Sequence, residues 1–122
     1  MPPRGKGTKP AARRRSRIPR EERRNLDLLL DDALTDAYGD GEQRVGIFTM
    51  LEDNLCVPFR TRVLGVEVVV EGVDMNDGDE IVAVCRAGKE LQRVPVLDLP
   101  LPSPPPRGAE WISVYRLWLG RL

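Results

Sequence analysis

The chain of 122 residues is one domain long, is 41% hydrophobic and 31% charged, and carries no net charge, so its composition is that of an ordinary globular protein. It contains no histidine, which excludes histidine-based acid–base catalysis and imidazole metal ligation. The zero balance hides an asymmetry: residues 1–24 hold ten Lys/Arg against two Glu, leaving the remainder with a charge of −8.

The opening segment "MPPRGKGTKPAARRRSR" offers almost nothing to bury, and residues 1–19 are expected to form a disordered basic tail ahead of a single domain over 20–122. Its arginines offer weak electrostatic contact with nucleic acid or another acidic surface. No apolar run is long enough to span a bilayer, and no signal-peptide core follows the basic start. The expectation is a cytoplasmic protein, monomeric and without membrane contact.

From Arg20, the residues Leu26, Leu29, Leu30, Ala33, Leu34, Ala37 and Tyr38 recur at helical spacing and predict one amphipathic face. Asp27, Asp31, Asp32 and Asp36 fall on the opposite face, where like charges four apart weaken the helix. "YGDGEQ" ends it, and Asp40 followed by Gln43 predicts a capping box for a second helix with Ile47, Leu51 and Leu55 inward. Pro58 stops that helix.

Beyond Pro58 the chain turns to β vocabulary, with strands expected over 60–72, 79–88 and 90–101 and a bend or bulge near Gly65. "DLPLPSPPPRG" reads as a proline-rich connector. Trp111, Ile112, Tyr115, Trp118 and Leu119 predict a short C-terminal helix that closes the core. The fold class is therefore α+β: an N-terminal helical pair, a small antiparallel SH3-like β-barrel or sheet, and a short C-terminal helix. Cys56 and Cys85, in apolar surroundings without a Cys-x-x-Cys motif, read first as small buried hydrophobes, with a disulfide as the alternative.

Oxygen-bearing side chains gather in three places: Asp36, Asp40 and Glu42; Glu52, Asp53 and Asn54; and Asp74, Asn76, Asp77, Asp79 and Glu80. Hard cations, calcium above all, take carboxylate, amide and carbonyl oxygens. No EF-hand is present, because a loop begun at Asp74 puts Cys85 where glutamate is required, and one begun at Asp36 puts Ile47 there. The same groups also serve as solvent-facing turn residues. No nucleophile elbow, phosphate loop or metallopeptidase motif is present, so no enzyme is expected.

The ordered segments "YGDGEQRVGIFTMLEDNLCVPF", "VLGVEVVVEGVD" and "VLDLPLPSPPPRGAEWISVYRLW" resemble the small cyanobacterial calcium-binding proteins of the CcbP type. The resemblance runs over nearly all of residues 20–119, and its most specific element is Leu-Glu-Asp-Asn-Leu leading into Pro-Phe. It implies calcium binding without an EF-hand, on a helix-plus-small-barrel body, in intracellular calcium buffering or signalling. Carried over, it favours Glu52, Asp53, Asn54 and Asp36 as ligands, with Asp40 and Glu42 by proximity and Asp74, Asn76, Asp77, Asp79 and Glu80 as a second group. The alternative of another class is a nucleic-acid or protein interaction module built on a small SH3-like barrel with a basic tail.

Overall fold

The structure, a computed structural model, describes residues 18–121. The basic tail expected over 1–19 therefore lies almost wholly outside the described residues. Helix α1 (Arg20–Ala33) starts behind Pro19, carries Glu21 and Glu22 in its first turn, and is followed by α2 (Asp40–Asn54). Four strands come next, β1 (Phe59–Val63), β2 (Val66–Met75), β3 (Ile81–Ala87) and β4 (Glu90–Pro95). A 3-10 turn (Val96–Asp98), the proline-rich connector and α3 (Glu110–Trp118) complete an α+β fold.

The strands form an antiparallel meander in the order β1-β2-β3-β4. The run expected as one strand over 60–72 is two, because Leu64 and Gly65 both take positive φ (51° and 80°) and reverse the chain as a tight hairpin. Of the bend or bulge expected near Gly65, the bend is this reversal, and the bulge lies at Glu71, where the register steps from Val70–Cys85 to Gly72–Val84. That extra residue keeps Val68 and Val70 before it, and Val73 and Met75 after it, on one face. The strand expected to run to 101 ends at Pro95, which introduces the 3-10 turn.

One face of this sheet is covered in two parts. Leu26 of α1, Ile47 and Leu51 of α2, Ile81 of β3, Val96, and Trp111, Ile112, Val114 and Tyr115 of α3 form the main core. Leu99 of the connector closes the middle of the sheet over Val68, Val70, Ala83 and Cys85. There the Thr61 hydroxyl donates to the Pro100 carbonyl at 2.6 Å, which fastens the connector to β1.

Two close approaches set the helices. Gly46 lies so near α1 that a Cβ would stand 2.6 Å from the Ala33 carbonyl oxygen. Trp118 is held at its edge and face at once: its Nε1 donates to Gln43 Oε1 at 2.9 Å, and the Arg44 guanidinium lies 4.9 Å from its ring centre. Gln43 thus serves α3 and not the expected capping box; Gly39, with φ 87°, occupies the cap position, and Asp40 is the first helical residue without a side-chain cap bond. Tyr38, expected on the apolar face of α1, lies beyond that helix and is exposed.

Candidate functional site

The three acidic groups occupy three separate places. The first lies at the α1–α2 junction. Asp36 adopts φ 64°, in the left-handed region that aspartate tolerates, and Glu42 accepts the Tyr38 N–H at 2.8 Å through Oε1. Asp36 and Glu42 line one open cleft of about 430 Å³ with Thr35, Ala37 and Val45, and Asp40 stands exposed beside it in the first turn of α2. None of these three carboxylates, nor Asp31 or Asp32 in the last turn of α1, has an ion-pair partner among the described residues.

The second group sits at the other end of α2. Asp40 and Glu52 share one continuous helix and are about 18 Å apart along its axis, at about 1.5 Å per residue. A single ion shell that combines Asp36 and Asp40 with Glu52 and Asp53 is therefore excluded by the unbroken helix between them. Glu52 borders a cleft of about 230 Å³ together with Leu55, Val57 and the bulge residues Glu71 and Gly72. Glu71 is already engaged, receiving Arg86 Nε at 2.7 Å and its NH2 group at 3.4 Å, and its carboxylate raises the Arg86 pKa further. Asp53 is exposed, and Asn54 turns its amide back onto the Met50 carbonyl at 2.7 Å.

This second stretch has a structural task. The Cys56 N–H donates to the Arg107 carbonyl at 2.8 Å, and Gly108 packs directly on the Asn54 and Leu55 backbone. Leu51 and Leu55 anchor it in the main core. Cys56, expected to be buried, is exposed because the turn after α2 points it outward; Cys85 is buried, and both are free, so no disulfide joins them. Burial pushes the Cys85 thiol pKa up.

The third group forms the β2–β3 loop and satisfies itself. Asn76 Oδ1 accepts the N–H groups of Gly78 and Glu80, both at 2.9 Å, and Asn76 Nδ2 donates to Glu80 Oε1 at 3.3 Å. Asp74 receives Arg93 at 3.3 Å and the Met75 N–H at 2.8 Å. Asp77 and Asp79 face solvent, Asp79 with φ 63°. This is the geometry of a turn built on an asparagine.

Among the described residues no three Asp, Glu or Cys side chains are grouped so as to hold a metal ion. The donors present are nonetheless all hard oxygens, which suit calcium in kind; at the α1–α2 junction two carboxylates border one cleft, short of the ~6–8 oxygens of a full shell. Two features escaped sequence reasoning: the approach of Glu71 to the Glu52 cleft, which depends on the bulge, and an apolar trough at the hairpin end of the sheet. The period-2 pattern of β2 carries the only trace of the second. No family model, curated protein or solved structure matches the chain.

Proposed function

We propose that the protein is a cytoplasmic, non-catalytic calcium-binding protein whose ion is held at the α1–α2 junction. One observation carries the reading: the C-terminal end of α1 bears Asp31 and Asp32 in its last turn with no basic residue, and Asp36 just beyond shares its cleft with Glu42. A helix C-terminus is already negative through its unsatisfied carbonyls, so carboxylates there repel the macrodipole and each other. A divalent cation removes that repulsion. The β2–β3 loop lacks this need, since Asp74 has an arginine partner and Asn76 closes its own loop; Glu52 and Asp53 likewise have no basic residue in the last turn of α2, but the carboxylate that shares the Glu52 cleft, Glu71, is already held by Arg86.

Asp36 and Glu42 supply the charged oxygens, and Asp40 lies close enough in sequence to join them. Water and turn carbonyls make up the rest of the shell, so affinity is low. The resemblance of residues 20–119 to small calcium-binding proteins without an EF-hand supports the same ion. Within no described helix is there a stretch long and apolar enough to cross a membrane.

Calorimetric titration of the full chain with calcium at near-physiological salt tests the reading. Binding in the high-micromolar to millimolar range is expected, lost in the Asp36→Asn, Glu42→Gln double variant and little changed in Glu52→Gln, Asp53→Asn. Absence of binding at millimolar calcium removes the function; unchanged binding in the first variant removes the site.

A further inference from the structure

The open cleft at the α1–α2 junction holds more than two carboxylates. Its lining is mostly apolar, with Ala33, Ala37, Val45 and Gly46 beside the charged Asp36 and Glu42. Val45 is 53% exposed there, and Tyr38, whose N–H is held by Glu42, is 79% exposed. Apolar side chains left open among charged ones mark a contact surface.

The charge around this cleft has one sign. Asp27, Asp31, Asp32, Asp36, Asp40 and Glu42 are all exposed, and none has an ion-pair partner among the described residues. Arg44 is the one basic residue between positions 25 and 59, and its guanidinium is engaged over the Trp118 ring. The opposite charge is carried by the same chain. Residues 1–17, outside the described residues, contain seven Lys/Arg and no Asp or Glu, and they join the body at the N-terminal end of α1.

We infer that the chain's own segment Lys9-Pro10-Ala11-Ala12-Arg13-Arg14-Arg15 occupies the α1–α2 cleft. Pro10, Ala11 and Ala12 are small enough to lie on its apolar lining, and Lys9 and Arg13 flank them with charge for Asp36 and Glu42. Arg14 and Arg15 follow beside the aspartates of α1. The length suffices: α1 rises about 20 Å from Arg20 to Ala33, whereas Pro10 to Ala12, eight to ten residues before Arg20, reach about 26–33 Å when extended. Exposed ion pairs are individually weak. A short tether nonetheless gives the segment an effective concentration in the millimolar range, so the pairs act together. The docked segment neutralises the cleft in the absence of calcium and is displaced when calcium binds; the displacement, though not the docking, rests on the calcium reading.

Paramagnetic relaxation in the full chain tests the docking. A nitroxide on Thr8→Cys, in a Cys56→Ser background that leaves only the buried Cys85, is expected to broaden the amides of Asp36, Ala37, Gly41 and Val45 selectively. The triple variant Arg13→Gln, Arg14→Gln, Arg15→Gln, or salt at about 0.5 M, is expected to abolish the effect. Broadening confined to the first turn of α1, spread evenly over the surface, or unchanged by the triple variant and by salt overturns the docking. So does broadening of an isotope-labelled copy by a nitroxide on a different copy, because the contact then lies between chains. Calcium is expected to relieve the broadening, and the triple variant to bind calcium about threefold more tightly. Calcium that binds without releasing the segment overturns the displacement. A chain that shows the contact and binds no calcium loses the calcium function and keeps the docking.

Discussion

Gly108 lies directly on the backbone carbonyl of Asn54, with φ 87°, so that a side chain there would overlap both the carbonyl carbon and its oxygen. Beside this contact the Cys56 N–H reaches the Arg107 carbonyl, and the end of α2 is thereby clamped to the start of α3. The clamp ties the turn after Leu-Glu-Asp-Asn-Leu to the start of α3 through backbone contacts.

Gly108→Ala is expected to lower stability by about 3 kcal/mol or more, because overpacking against backbone and an unfavourable φ act together. Urea unfolding followed by tryptophan fluorescence measures it. A loss under about 1 kcal/mol would show that the connector moves aside freely.

Gly46→Ala is expected to push α1 away from α2, since the added carbon meets the Ala33 carbonyl oxygen at 2.6 Å. The cost is about 1–3 kcal/mol. Hydrogen exchange should locate it: amides of α1 lose protection first, while those of β2 and β3 keep theirs.

Asp32→Lys places a cation in the last turn of α1, which contains no basic residue. Stability without calcium is expected to rise by about 0.3–1 kcal/mol through the helix dipole, and the gain should shrink when calcium is present. Equal gains with and without calcium would separate the ion from α1.

Arg44 and Trp118 are expected to be coupled. A double-mutant cycle of Arg44→Ala and Trp118→Phe should give an interaction of about 0.5–1 kcal/mol, measured by chemical denaturation. Gln43→Ala removes the acceptor of the indole N–H and should cost about 1 kcal/mol separately.

Cys56 should be alkylated within the native state, and Cys85 only on unfolding, because the first is exposed and the second buried. Burial raises the folded pKa of Cys85 above the ordinary 9.0. The folded state therefore holds that proton more tightly than the unfolded chain. Its contribution to stability is complete below pH 9.0 and is lost as pH rises through the raised folded value. Cys85→Ala should flatten the fall in melting temperature above that pH.

The amino-acid order by itself determined the element types. Leu26, Leu29, Leu30 and Ala33 at helical spacing, Pro58 after Leu55, and the β-branched run through Val68–Val70 each commit their segment through local geometry and side-chain burial. Trp111, Ile112 and Tyr115 were equally legible as a core-facing helix, and all three are buried. Reversal at Leu64 was not legible, because leucine gives no turn signal; only the strand pairing on either side makes it one.

Tertiary structure alone decided how the acidic residues relate. In the sequence, Asp36, Asp40, Glu52 and Asp53 form one acid-rich interval, yet a rigid α-helix advances by about 1.5 Å per residue and sets its two ends about 18 Å apart. Partners from distant segments decided the rest: Arg86 on Glu71, Arg93 on Asp74, and Gly108 on Asn54. Periodicity records which side of its own element a residue faces, whereas the group it meets there depends on how the elements pack.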